Sequence, residues 1–227
     1  MIPAVLVFDL DGVIVKSNFT KHETMLSLFA DRPDLRETIS AFILAHGGVP
    51  RRDKLAHILK HCLHVEPTDA VLGHYLAQYA VRLEQLLAVA PFVEGAVDFI
   101  AAHQGDRYVC SSAPEAEVHQ QLIRGSLHTC FSAIYGGTTP KHQALRDIAA
   151  KHQHQPVCFF GDSVGDHEAA CQAKVGFVGV VCERDNFDGL PVVKLKDFSS
   201  PLAIAQAVRQ SAGQAAGSRF EPSHRSR

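Results

Sequence analysis

The sequence carries no surplus of positive charge: 22 lysines and arginines stand against 24 aspartates and glutamates, a formal charge of -2. Nucleic-acid binding normally draws on a basic excess or a basic stripe, so no nucleic-acid partner is expected. No apolar run approaches the roughly 20 residues of a membrane-spanning helix, and no membrane association is expected. Six cysteines, at 62, 110, 130, 158, 171 and 182, form no Cys-x-x-Cys pair. That leaves neither a zinc ribbon nor a thioredoxin-type motif. Cys110 and Cys158 fall within apolar runs and are expected to be buried, reduced thiols. Met1-Ile2-Pro3-Ala4 leads straight into strand-like sequence, so no signal peptide is expected and the chain is expected to be cytoplasmic.

What is present is globular composition, 46% hydrophobic and 20% charged over 227 residues, enough for a substantial core. Val5 to Leu10 is a continuous apolar run ending in acid, the pattern of a strand buried on both faces. From about Asn18 to Ala88 apolar residues recur at helical spacing instead, as in Met25, Leu28 and Phe29 or Leu72, Leu76 and Tyr79. Pro33, Gly47-Gly48, Pro50 and Pro67 divide that stretch into about four helices, and Pro91 ends it. After Pro91, helices and strands alternate. Helices are expected over 94–103, 115–124, 141–151, 165–173 and 201–210, and strands over 107–110, 131–135, 157–160, 177–181 and 192–195.

Such alternation predicts an α/β fold, a three-layer α/β/α Rossmann-like core around a parallel sheet. The all-helical stretch cannot join the sheet and is expected to form an inserted helical cap domain. The expected organisation is a core of residues 1–16 plus 91–210, a cap of residues 17–90, and a flexible tail of residues 211–227.

In an open parallel sheet, ligands bind beyond the carboxyl ends of the strands. There this sequence delivers Asp9-Leu10-Asp11-Gly12-Val13, then Ser111-Ser112, then Gly161-Asp162-Ser163-Val164-Gly165-Asp166, with Lys141 opening an intervening helix. Carboxylates so gathered repel one another, and a divalent cation relieves them. Oxygen donors without clustered Cys or His suit a hard ion such as Mg²⁺. A lysine and hydroxyls beside that ion make a phosphate pocket. Gly12 is expected to let the loop approach the ligand and turn its N–H groups to the anion. Plainer readings exist for single residues. Ser111 and Ser112 could cap the following helix, and Asp166 could favour its own helix N-terminus.

The four motifs, taken in order, resemble those of the haloacid dehalogenase superfamily, over roughly residues 4–200. Asp9-Leu10-Asp11-Gly12-Val13 is similar to its first motif, Ser111 to its second, Lys141 to its third and Gly161-Asp162 with Asp166 to its acidic fourth. The helical insertion resembles the type 1 cap of the phosphoglycolate phosphatase and β-phosphoglucomutase-like branch. This resemblance implies Asp9 as nucleophile, Asp11 as acid and base, and Ser111, Ser112, Lys141 and Gly12 as phosphate-binding residues. It further implies Mg²⁺ held by Asp9, Asp11 through its backbone carbonyl, Asp162 and Asp166.

Within the cap, Gly48-Val49-Pro50-Arg51-Arg52-Asp53-Lys54-Leu55 is similar to the specificity loop of β-phosphoglucomutase relatives, with Arg51 facing substrate. Lys21 stands where the mutases carry a histidine, which favours a phosphatase acting on phosphoglycolate or a sugar phosphate. Asp11 argues for a phosphate monoester over the dehalogenase and phosphonatase branches. The expected partner is a small phosphorylated metabolite, and the expected state a monomer or homodimer. The alternatives are a phosphomutase, a catalytically silent phosphometabolite-binding protein, and a zinc hydrolase built on His57, His61, Cys62 and His64. Against the last, His57 and His61 lack the glutamate of an HExxH site and read better as a solvated helix face.

Overall fold

The computed structural model describes residues 5–47 and 49–217. Six parallel strands form one sheet: β1 (Val5–Phe8), β2 (Arg107–Cys110), β3 (Ala133–Tyr135), β4 (Val157–Gly161), β5 (Gly176–Val180) and β6 (Val193–Leu195). Their order across the sheet is β3-β2-β1-β4-β5-β6. The chain therefore reverses direction of growth after β3, and β1 and β4 become central neighbours with Phe8 registered on Phe160.

The uninterrupted apolar strands have the reason expected of them: each of their faces is covered. One face presents Leu6, Phe8 and Phe160 to α5 (Ala96–Ala102), α6 (Glu115–Arg124) and α9 (Pro201–Gly217). There Phe8 stacks on Phe160 at 5.1 Å between ring centroids. The other face presents Val5, Val7 and Phe159 to α7 (Lys141–Lys151) and α8 (Val164–Ala173). Each such buried side chain contributes roughly 1.5–3 kcal/mol of hydrophobic stabilisation.

Between β1 and α5 every regular element is helical: α1 (Asn18–Ser27), α2 (Arg36–Ala45), α3 (Arg51–His57) and α4 (Asp69–Leu87), with a short 3₁₀ turn before α2 and a π turn after α3. Ile39, Leu55, Ile58, Leu59 and Leu83 are buried among these helices. The segments leading in and out run antiparallel, bridged at Val15 and Phe92. Lys16 N–H donates to Pro91 O at 2.8 Å and Val93 N–H to Ile14 O at 2.9 Å. No helix among the described residues is long and apolar enough to cross a membrane.

The expected tail is corrected in part. Helix α9 continues past Gln210 to Gly217. Its reason is Ser211, fully buried, whose Oγ donates to Val208 O at 2.9 Å and lies 3.4 Å from Cys158 Sγ. A small polar residue can thus be a tight packing position against Gly176, where an added Cβ would sit 2.9 Å from that Oγ. Residues 218–227 of the expected tail, residues 1–4 of the expected core and Gly48 of the cap loop lie outside the described residues. The cysteines are free, with Cys110 and Cys158 buried. Burial pushes both of these thiols up to about 12.

Candidate active site

The end of β1 sets the first two carboxylates. Asp9 N–H continues the sheet by donating to Phe160 O at 2.9 Å, and Asp9 Oδ1 accepts Leu10 N–H at 2.7 Å. The chain then turns tightly: Ile14 and Val15 N–H both donate to Leu10 O, and Gly12 N–H donates to Val15 O at 2.8 Å. Gly12 has φ +71°, and a Cβ there would stand 2.4 Å from Asn18 Nδ2 and 2.5 Å from Asp162 Oδ2. Glycine is required by both the left-handed backbone and that close approach. This corrects the expected anion role of Gly12, since its N–H is engaged inside the turn.

Lys141 begins α7, and its Nζ lies 2.8 Å from Asp9 Oδ2 and 2.6 Å from Asp166 Oδ1. A cation at a helix N-terminus is unfavourable with the helix dipole, and these two carboxylates outweigh that effect. At the end of β4, Ser163 caps α8 in a reciprocal box. Asp166 N–H donates to Ser163 Oγ, and Asp166 Oδ2 accepts from Ser163 N–H and O–H. Asp166 therefore takes the helix-capping role considered for it with one oxygen and meets Lys141 with the other. Asp162 Oδ2 accepts from Asn18 Nδ2 at 2.6 Å.

Asp9, Asp162 and Asp166 each offer an oxygen within 4.8 Å of the others, and among the described residues this is the only grouping of that kind. Burial pushes Asp9 up to about 7, with Asp166 and Asp11 adding to the rise and Lys141 opposing it. Burial likewise holds Asp162 well above the usual carboxylate range, reinforced by Asp166 and Asp9. Once ionised, the three carboxylates against one ammonium leave about two negative charges, and all the donors are oxygen. The residues fit a hard divalent cation.

Asp11 is buried too, but its charge is held differently. Lys21 Nζ stands 2.6 Å from Asp11 Oδ1 and 2.5 Å from Glu117 Oε1. Ser17 Oγ donates to Asp11 Oδ1. Burial acts to raise the Asp11 carboxyl, yet Lys21 and these bonds overcome it and leave Asp11 below its ordinary value.

Ser111 is buried, and its Oγ accepts Ala113 N–H at 3.1 Å. Neither Ser111 nor Ser112 caps α6, whose N-cap is Pro114. Ser112 joins Asp9, Asp11, Lys141 and Asp162 on the wall of a cavity of about 190 Å³. Lys21, Arg51 and Lys54 of the helical insert close the same cavity.

Arg51 is tied down: its Nη2 lies 2.7 Å from Glu117 Oε2, and its guanidinium sits 4.9 Å over the Tyr79 ring. Glu117, on α6, was not among the residues singled out from sequence, and no local signal marks it. Asn18, Lys54, Glu183 and Asn186 also line the cavity without having been singled out. For Lys54 a signal existed, since it follows Arg51 at i, i+3 on one helix, which places both on one face. Glu183 accepts from Asn18 and Phe19 N–H, so it meets the start of α1. The insert's histidines build nothing comparable: His57 lies flat on Phe42 at 4.0 Å, with His61 at 4.4 Å between ring centroids.

The model of the haloacid dehalogenase-like hydrolase family matches residues 6–180, which hold Asp9, Asp11, Asp162, Asp166 and Lys141. The chain belongs to that family. No curated protein matches the hydrolase significantly. Among solved structures, a protein described as a "predicted phosphoglycolate phosphatase" of Haemophilus somnus has a TM-score of 0.70 at 19% identity, covering 91% of this chain and 99% of its own. A β-phosphoglucomutase of Clostridium difficile has a TM-score of 0.70 at 15% identity, with 92% and 98% covered. CbbY of Rhodobacter sphaeroides, solved with phosphate, has a TM-score of 0.68 at 16% identity, with 88% and 96% covered. At these identities the likeness carries the fold.

Proposed function

We propose that this hydrolase is a Mg²⁺-dependent phosphatase of small phosphorylated metabolites, with the helical insert acting as a cap over the site. The observation that carries this reading is the shared cavity, in which Asp9 and Asp11 meet Lys141 and Asp162. That set supplies a nucleophile, a proton-transfer group, a phosphate-binding cation and a metal ligand. Phosphoglycolate and sugar phosphates are the substrate candidates, in keeping with the phosphoglycolate phosphatase and β-phosphoglucomutase among the fold neighbours.

In the first step an Asp9 oxygen attacks phosphorus, and the bond from phosphorus to the ester oxygen breaks. Asp11, protonated, gives its proton to the departing alkoxide. In the second step Asp11 takes a proton from water as that water attacks the aspartyl-phosphate. Inorganic phosphate leaves and Asp9 is restored. Lys141 and the Ser111 hydroxyl hold the phosphoryl oxygens. Asp9, Asp162 and Asp166, with the Asp11 carbonyl, would hold Mg²⁺, which when bound neutralises the surplus charge and polarises the phosphoryl group.

Asp11 must carry a proton to start, whereas Lys21 favours its ionised form. Glu117, in contact with the same ammonium, supplies the counter-charge that can draw Lys21 away. A lysine in this place also supports hydrolysis over phosphoryl return to a bound sugar, the reaction of the mutases.

The test is phosphate release from a panel of monoesters, with Mg²⁺ and with chelator, for the native chain and Asp9→Asn. Metal-dependent release lost in the variant supports the reading. No release from any monoester, or equal release by Asp9→Asn, overturns it.

A further inference from the structure

The cations that line the substrate cavity are unequal. Lys21 and Arg51 share Glu117, and Lys21 also meets Asp11, so two cations and two carboxylates form a neutral quartet. Lys141 belongs to the acidic cluster. Arg184 also lines the cavity but stands exposed on its rim, where water screens its charge.

Lys54 differs. Its Nζ donates to Gly47 O at 2.9 Å, and among the described residues no carboxylate lies within ion-pairing distance of it. It brings a positive charge that is in no ion pair, and two further N–H donors, to a cavity whose wall also includes the apolar Ile43 and Val49. One charge and two donors match a carboxylate, a monoanion with two oxygens. A second phosphate is closer to a dianion and would need more than one cation, while Glu117 already occupies Arg51.

We propose that Lys54 is a specificity-determining residue that binds a carboxylate at the far end of the substrate, which makes short phosphorylated carboxylic acids the preferred class. This rests on the phosphatase reading given above. Burial pushes the Lys54 ammonium down to about 8, with Asp11 and Asp162 opposing the fall and Lys21 and Arg51 adding to it. An arriving anion relieves that penalty. Glu117 then acts as the selector against bisphosphates, because it keeps Arg51 from a second phosphate. The small cavity agrees with a short substrate.

The experiment compares kcat/KM for 3-phosphoglycerate and glycerol 3-phosphate, which differ in a carboxylate against a hydroxymethyl group, with fructose 1,6-bisphosphate as the second-phosphate arm. The expected native preference is for the carboxylate. In Lys54→Met the ratio of the two monophosphates falls by about tenfold or more, mainly through KM, and Lys54→Arg restores most of it. Glu117→Gln raises relative turnover of the bisphosphate.

A native enzyme that hydrolyses the monoesters without preferring the carboxylate, or an unchanged ratio in Lys54→Met, overturns the Lys54 assignment and leaves the phosphatase reading standing. Better turnover of the bisphosphate by the native chain overturns the selector role as well. Failure to release phosphate from any of them, p-nitrophenyl phosphate included, removes both.

Discussion

The Lys21 ammonium, carried by the helical insert, lies 2.6 Å from the Asp11 carboxylate at the end of the first strand. One contact thereby ties the inserted helices to the group proposed to move protons. Lys21 itself titrates above its ordinary value: burial opposes its charge, and Asp11 and Glu117 more than offset that effect.

Removing that ammonium should raise the Asp11 pKa. In Lys21→Met, burial remains and the principal opposing charge is gone, so the carboxyl moves upward. Carbon NMR titration of the Asp11 side chain in both proteins reads this directly. An unchanged or lower midpoint in Lys21→Met contradicts the electrostatic account.

Metal should matter more at high pH than at low. Asp9 titrates at about 7 in the folded protein, above the roughly 4 of an unfolded chain. Its contribution to the metal-free fold is fully present below about pH 4 and is lost as pH rises through 7. A divalent cation favours the carboxylate and reverses that loss. The rise in Tm on adding Mg²⁺ should therefore be larger at pH 8 than at pH 6, as measured by differential scanning calorimetry. A rise that shrinks with pH counts against the assigned carboxylates.

Asp9→Asn should abolish turnover, by about 10⁴-fold or more, without unfolding the chain. The variant removes a desolvated, crowded charge, and Lys141 keeps Asp166 as a partner. At pH 8 and without metal, its Tm should equal or exceed that of the native protein. A markedly lower Tm would assign Asp9 a structural role.

Gly12→Ala tests the motif turn. The added Cβ meets Asn18 and Asp162 well inside contact distance, at a backbone angle that alanine adopts poorly. A loss of roughly 1–3 kcal/mol is expected from chemical denaturation, accompanied by weaker metal binding as Asp162 is displaced. Stability within experimental error of the native chain would show that the turn tolerates a side chain.

Ser211→Leu tests the C-terminal end of α9. The site is closed by Cys158 and Gly176, so the larger side chain should cost about 1–3 kcal/mol. A neutral effect would fit the frayed end expected from composition rather than the packed helix.

Much of this fold could be read directly from the chain. The strand Arg107–Cys110 and the helices Glu115–Arg124 and Lys141–Lys151 have the bounds expected from their patterns. Those elements lie wholly in the core, where burial forces hydrophobic period and backbone geometry to agree. The end of α9 was not legible because Ser211 and the residues after it lack apolar periodicity, while the small size of Ser211 is what allows its close packing on Cys158 of β4 and Gly176 of β5. Asp9, Asp11, Asp162 and Asp166 were legible as a group because parallel strands bring their carboxyl ends to one edge, and Lys141 because a cation at a helix start requires an anion.

What folding added is the pairing of charges between elements far apart in the chain. Arg51 reads in sequence as a free substrate-facing cation, yet in the structure it belongs to Glu117 of a core helix. Lys54, on the same helix as Arg51, has no carboxylate in ion-pairing distance among the described residues. Periodicity records which face of an element is buried, so the sequence was sufficient for the elements and for the acidic edge. It does not record which charged side chain from another element will arrive opposite. That depends on how α1 and α3 sit against α6, a matter of packing in three dimensions.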